Sequence, residues 1–205
     1  MSVTVTRWWW VRHAPVINPS GTLYGANDLI ADVSDDASFQ GLARRLPQDA
    51  HWVTSHLTRA KQTAAAIRAA GLAFGDPAVE RDLGEQDFGD WHGRTYAEVA
   101  REVGAHHFWL APARTRPPGG ESFVDLMTRA TAVIDRLTVA QRGRDIVCVA
   151  HGGTIRAAVA HALALDPEIA LRIATANLAI TRLDHVHDEG RTDVWRVGWI
   201  NLAPK

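Results

Sequence analysis

Two arginines and two histidines share one kind of place in this chain, just after an apolar run. Arg12 and His13 follow residues 3–11, Arg59 lies shortly after the run that ends at Ser55, and His151 follows residues 145–150. Runs of that length rich in Val, Ile, Trp and Thr read as strands. In an open parallel sheet, ligands bind outside the carboxyl ends of the strands, so these side chains are expected at one sheet edge. Paired guanidinium groups can grip a phosphate bidentately, which lysine cannot do. An imidazole among them can act as a nucleophile. Helices opening after His151 and before Arg59 are expected to add dipoles and backbone N–H groups, that of Gly152 among them. The chemistry implied is a phosphate dianion pocket containing two imidazoles.

A further candidate is Glu85, within the segment LGEQDFGDWHG that begins at Leu83. A carboxyl group beside a phosphate is unfavourable unless it carries a proton. The bound anion would raise its pKa and suit it to protonate a leaving alkoxide. Glu80, Asp82, Asp87 and Asp90 are competing acids nearby. Nucleophile, cationic clamps and acid together describe phosphoryl transfer through a covalent intermediate.

The elements that must position these groups alternate. Strands are expected at 3–11, 51–55, 79–83 and 145–150, with two more at 178–183 and 193–200 joined by a polar turn over 184–192. Helices are expected near 39–46, 57–70, 95–103 and 121–141, and from Gly152 to about residue 165. Residues 16–35 and 111–120, rich in Gly, Pro and polar residues, read as loops. Strands alternating with helices indicate an α/β fold, a three-layer α/β/α sandwich with a mainly parallel central sheet. Trp8, Trp9 and Trp10 are consecutive, so a strand there would need cover on both faces.

At 205 residues, 46% hydrophobic and 22% charged, the chain fits one soluble globular domain. Its 22 Lys and Arg nearly cancel its 23 Asp and Glu, which leaves no global field for nucleic acid or an anionic membrane. A single cysteine, Cys148, excludes an internal disulfide and fits a reducing, cytoplasmic setting. The N-terminal residues lack the pattern of a signal peptide, and no apolar run approaches membrane-spanning length.

Taken together, the motifs resemble those of the histidine phosphatase superfamily, the phosphoglycerate mutase-like fold, from about Trp10 to Ala157. Arg12-His13-Ala14 is similar to its Arg-His-Gly signature, and the segment from Ser55 to Ala64 (SHLTRAKQTA) to its second motif. Leu83 to Gly93 resembles the segment bearing its acid, Gly119-Gly120-Glu121-Ser122 a recurrent lead-in to a helix, and Val149 to Gly153 the segment of its second histidine. The resemblance implies that His13 is phosphorylated, that Arg12, Arg59 and His151 hold the phosphoryl group, and that Glu85 donates the proton. It implies a phosphate contact for Asn18, although the gap from His13 is one residue shorter than usual. Ala14 and Pro15 replace the usual glycine and polar residue, and His92 stands where glutamate is frequent. A single domain over 1–205 is implied, with a loop and helix cap around 84–120.

The expected activity is hydrolysis of a small phosphorylated metabolite through phosphohistidine, with no cofactor and no metal. A phosphoglycerate mutase-type transfer and a non-catalytic phosphate-sensing module are the alternatives. The short interval between the acid and the GGES element, offering Arg94, Arg101, Arg114 and Arg116, favours the phosphatase. Cys148 lacks the arginine six residues on that a cysteine phosphatase needs, since position 154 is threonine. His185 and His187 with Asp184 and Asp188, and the pair His106-His107, read as solvated turns rather than metal ligands. The substrate and the oligomeric state are not encoded legibly.

Overall fold

The computed structural model describes residues 3–18, 20–104 and 110–205. Its strands are β1 (Val3–Arg12), β2 (Ala50–Thr54), β3 (Ala78–Val79), β4 (Asp145–Ala150), β5 (Ile180–Asp188) and β6 (Val194–Leu202). Its helices are α1 (Asp36–Arg45), α2 (Thr58–Ala69), α3 (Tyr96–Val103), α4 (Phe123–Ala140), α5 (Gly152–Leu163) and the single turn α6 (Pro167–Ala170). The strands form one sheet in the order β3-β2-β4-β1-β5-β6. The first four run parallel, and β5 and β6 add an antiparallel edge.

The tryptophan run explains the layering. Side chains alternate along a strand, so Trp8 and Trp10 share one face of β1 and Trp9 takes the other. Trp8 and Trp10 stack 4.9 Å apart, packed with Phe123, Leu126 and Ile134 of α4 and Ile155 and Val159 of α5. On the opposite face, Trp9 and Val11 join Phe39 and Leu42 of α1 and Ala60, Ala64 and Ile67 of α2. Both faces are covered, and the fold is the expected three-layer sandwich. The alanines of α2 let that helix lie close against the sheet.

The helix starts are chemically marked. Asp35 caps α1 through the Ser38 N–H, and Ser122 with Asp125 forms a capping box on α4. Thr95 and Glu98 do the same for α3. Leu46, next to Pro47, ends α1.

Three expectations need correction. Strand pairing expected over 79–83 stops at Val79, because residues Arg81–Leu83 curl into a 3-10 turn that buries Leu83 against the α4 side. The strand expected from residue 178 begins at Ile180, since Leu178 adopts a left-handed φ of 62° while its N–H reaches the Arg12 carbonyl. The polar stretch expected as a turn from Asp184 is instead strand as far as Asp188. Asp184 is buried there because Arg182 and Arg196 both bond its carboxylate, at 2.8 and 2.6 Å. His185 and His187 sit on the same strand, both against Asp193 at 3.6 and 2.7 Å, not on a solvated turn. Among the described residues no cluster has metal-binding composition and geometry. His106-His107 lies outside the described residues. Among them, too, no helix is long and apolar enough to cross a membrane.

Candidate active site

The sheet register brings three distant segments together. Arg12 pairs with Ala150, and Thr54 with Val149, so β1, β4 and β2 end level with one another. The next residues, His13, His151 and Ser55, therefore leave the sheet side by side. His13 N–H bonds the Ala150 carbonyl at 3.0 Å, extending the ladder one step beyond the strand.

His13 is buried, and its ring lies 5.1 Å from that of His151, centroid to centroid. Nδ1 of His13 meets the Ala14 carbonyl at 2.6 Å. A carbonyl only accepts, so Nδ1 carries the hydrogen and Nε2 keeps its lone pair, the state a nucleophile requires. Burial, then the Arg59 and Arg12 charges, push the pKa of His13 down to about 3, against the Ala14 bond that raises it. The imidazole is neutral at physiological pH. Its loop is fixed by Asn177, which donates to the His13 carbonyl at 2.7 Å, and by Thr63, which accepts the Ala14 N–H at 2.9 Å.

Arg59, in the first turn of α2, is completely buried. Its two terminal nitrogens donate to the Asn27 and Gly25 carbonyls at 2.7 and 2.5 Å, and the guanidinium lies 5.1 Å from the Tyr24 ring centre. Gly25 has φ +36°, and a Cβ there would fall 2.4 Å from the Gln86 carbonyl, so only glycine lets this loop approach. Arg12 is anchored by the Thr175 carbonyl at 2.5 Å. The Nε atoms of Arg12 and Arg59 and the Nδ1 of His151 are buried without a hydrogen-bond partner. Buried polar nitrogens of this kind are seldom left unmatched, and here three cluster around one imidazole.

Glu85 is almost buried, and both its oxygens accept the Gly153 N–H at 3.2 Å, with Gln86 N–H on Oε1 at 3.0 Å. A Cβ on Gly153 would lie 2.4 Å from Glu85 Oε1, so the second glycine exists to admit this carboxyl group. Both helix N-termini at the site spend backbone N–H groups on carboxylates: Gly153 of α5 on Glu85, and Thr58 of α2 on Asp28 at 2.6 Å. Of the rival acids, Glu80 pairs with Arg136 and Asp87 accepts the Gly89 N–H. Asp90 lies beside Gly119, 3.7 Å from where its Cβ would be.

Asn18 donates to the Thr22 carbonyl at 2.8 Å. Gly152 packs under two guanidinium groups: a Cβ there would be 3.2 Å from Arg156 Nη1 and 3.6 Å from Arg12 Cζ. His92 Nε2 accepts the Phe88 N–H at 3.3 Å, a role within its own loop. Cys148 is fully buried and its thiol is pushed up by burial, as expected of a packing residue.

Sequence reasoning missed two residues. Arg156, on α5, donates from Nε to the Ile173 carbonyl at 2.9 Å and is depressed to about 10 by burial, against the opposing pull of Glu85. Its signal was the four-residue spacing from Gly152, which stacks the pair on one helix face. Ser55 bonds His151 Nε2 at 2.7 Å. The sequence marks it as a strand end and as the first residue of the second motif, with no role of its own.

With this geometry in place, comparison with known proteins is informative. Residues 9–198 match the family model described as histidine phosphatase superfamily, branch 1. A glucosyl-3-phosphoglycerate phosphatase of Mycolicibacterium vanbaalenii is 38% identical over 175 residues, 76% of each chain. An uncharacterized protein of Mycobacterium bovis is 44% identical over 101 residues, which are 48% of this chain but 27% of that protein. The chain thus spans only about a quarter of some curated relatives it matches. Among solved structures, that of a mycobacterial glucosyl-3-phosphoglycerate phosphatase superposes with a TM-score of 0.80 at 27% identity, covering 97% of this chain and 99% of that one. One described as mycobacterial hydrolase 2 gives 0.83 at 27% identity, over 98% and 92%.

Proposed function

This chain belongs to branch 1 of the histidine phosphatase superfamily, and from that premise we propose that it is a metal-independent phosphomonoesterase acting on a small phosphorylated metabolite. The observation that carries the proposal is the buried pair His13 and His151, 5.1 Å apart, with Arg12 and Arg59 held beside them. His13 Nε2 attacks phosphorus in line with the ester oxygen, forming an N–P bond as the P–O bond breaks. Glu85 gives its proton to the departing alkoxide. It then takes a proton from the water that attacks phosphohistidine, releasing phosphate and restoring His13. Arg12, Arg59 and His151 hold the three phosphoryl oxygens, with Gly152 packed under the Arg12 guanidinium; a phosphate contact for Asn18 rests on the motif resemblance alone.

A sensor would need the cations but no proton donor. Glu85, fitted to Gly153 and electrostatically coupled to Arg59, favours turnover. Residues 84–120 act as a cap, a reading supported by the separate apolar cluster of Leu23, Phe88, Trp91, Val99, Leu110 and Ala111. The relatives' names make phosphoglycerate esters the first compounds to test. Such a substrate bears a carboxylate as well as a phosphate, and Arg156 adds a third guanidinium beside Arg12. The mutase alternative is kept by a phosphoglycerate mutase of Gloeobacter violaceus, 34% identical over 120 residues, 56% of this chain. A kinetic screen of phosphorylated metabolites with chelator present, run beside a mutase assay, decides. Phosphate release with chelator supports the proposal. Phosphate binding without turnover would favour a sensor, and isomerisation without release a mutase.

A further inference from the structure

Resting on the reading of His151 as a phosphoryl ligand, we propose that Ser55 is a positioning residue that sets the tautomer of His151, so that its Nδ1 always presents a hydrogen to the phosphoryl group.

Ser55 and His151 are both fully buried, and Ser55 Oγ lies 2.7 Å from His151 Nε2. The hydroxyl has one hydrogen and two lone pairs. It already accepts the Leu57 N–H, at 3.3 Å. Its own hydrogen needs an acceptor, and the acceptor facing it is His151 Nε2. When Ser55 donates there, the neutral ring carries its hydrogen on Nδ1. That is the one ring nitrogen of His151 with no protein partner, in a ring tilted against His13.

The opposite tautomer would do two unfavourable things. Nε2–H would leave the serine hydrogen without that acceptor inside the protein, and Nδ1 would turn a lone pair towards an incoming dianion. Neutrality is enforced separately. Burial first, then His13, Arg59, Arg12 and His56, hold the His151 pKa well below the ordinary histidine range. Before substrate binds the ring is therefore neutral, and its Nδ1 hydrogen makes it a hydrogen-bond donor. The two histidines become complementary through short local contacts: the Ala14 carbonyl exposes a lone pair on His13, and Ser55 exposes a hydrogen on His151.

The test reads the proton directly, in the full chain labelled at the histidine ring nitrogens and examined by NMR with and without inorganic phosphate. The expected spectrum has His151 protonated at Nδ1 and bare at Nε2. Ser55→Ala should populate the Nε2–H form and lower kcat for p-nitrophenyl phosphate roughly tenfold to hundredfold, less than the ~10²- to 10³-fold cost of removing an aimed donor outright, because part of the population keeps Nδ1–H. Ser55→Thr keeps the hydroxyl and should restore both the tautomer and most of kcat. A wild-type ring protonated at Nε2 alone would overturn the proposal even if the variants failed to fold. So would an unchanged tautomer in Ser55→Ala. The spectrum does not depend on turnover, so its outcome is separable from failure of the phosphatase reading.

Discussion

At the scale of single residues, the account turns on which groups carry hydrogens. His13→Ala should abolish turnover, lowering kcat by at least about 10⁴-fold, while inorganic phosphate still binds to Arg12 and Arg59 in equilibrium titration. Glu85→Gln keeps the shape that fits Gly153 but removes the proton. Its loss should be about 10²- to 10⁴-fold on alkyl phosphates and far smaller on p-nitrophenyl phosphate, whose leaving group needs no acid. Equal losses on both substrates would move the acid role to another carboxylate. The pH dependence of stability follows from the buried imidazole. His13 titrates near 3 in the folded chain, below the ordinary 6.5, so acid protonates the unfolded chain first. Its contribution is complete above about pH 6.5 and is lost as the pH falls towards 3, at up to about 1.4 kcal/mol per pH unit. Urea midpoints between pH 7 and pH 5 should fall, and His13→Asn should flatten that fall.

At the scale of elements, one contact links α5 to the acid. Gly153→Ala would place a methyl group 2.4 Å from Glu85 Oε1. The variant should fold and reproduce the leaving-group pattern of Glu85→Gln, losing activity chiefly on alkyl phosphates. The β5–β6 hairpin makes a different prediction. Asp184→Ala removes the carboxylate shared by Arg182 and Arg196, and should cost about 2–3 kcal/mol of stability by urea unfolding. Turnover per folded molecule should stay unchanged. This hairpin also shows where sequence reading fails. Asp, His and Glu clustered over 184–189 look like a turn, but Asp184 is met by Arg196 on the neighbouring strand and by Arg182 on its own, which local composition cannot reveal. The third strand is shorter than its sequence suggests for a local reason. Val79 and Leu83 flank three charged residues, a four-residue spacing that fits a helical turn as well as a strand once Leu83 packs against helices.

At the scale of the whole molecule, the central sheet was readable because its strands are apolar runs that stop abruptly at polar residues. The tryptophan run even announced two covered faces, and the packing of Trp8, Trp9 and Trp10 agrees. Strand order was not readable. That β4 lies between β1 and β2 comes from the pairings, and it is what sets His151 beside both His13 and Ser55. Arg156 and Ser55 gain a role only from neighbours that the sequence does not reveal: Arg156 lies inside a helix, not at a strand end, and Ser55 needs His151 across the sheet edge. The central claim, that His13 carries the phosphoryl group, can be measured directly. In a single-turnover reaction quenched in alkali and digested, mass spectrometry should find the phosphoryl group on the peptide containing His13, stable in base and lost in acid. Phosphorus on a different residue, or none at His13 at any time while substrate is being consumed, would contradict the account.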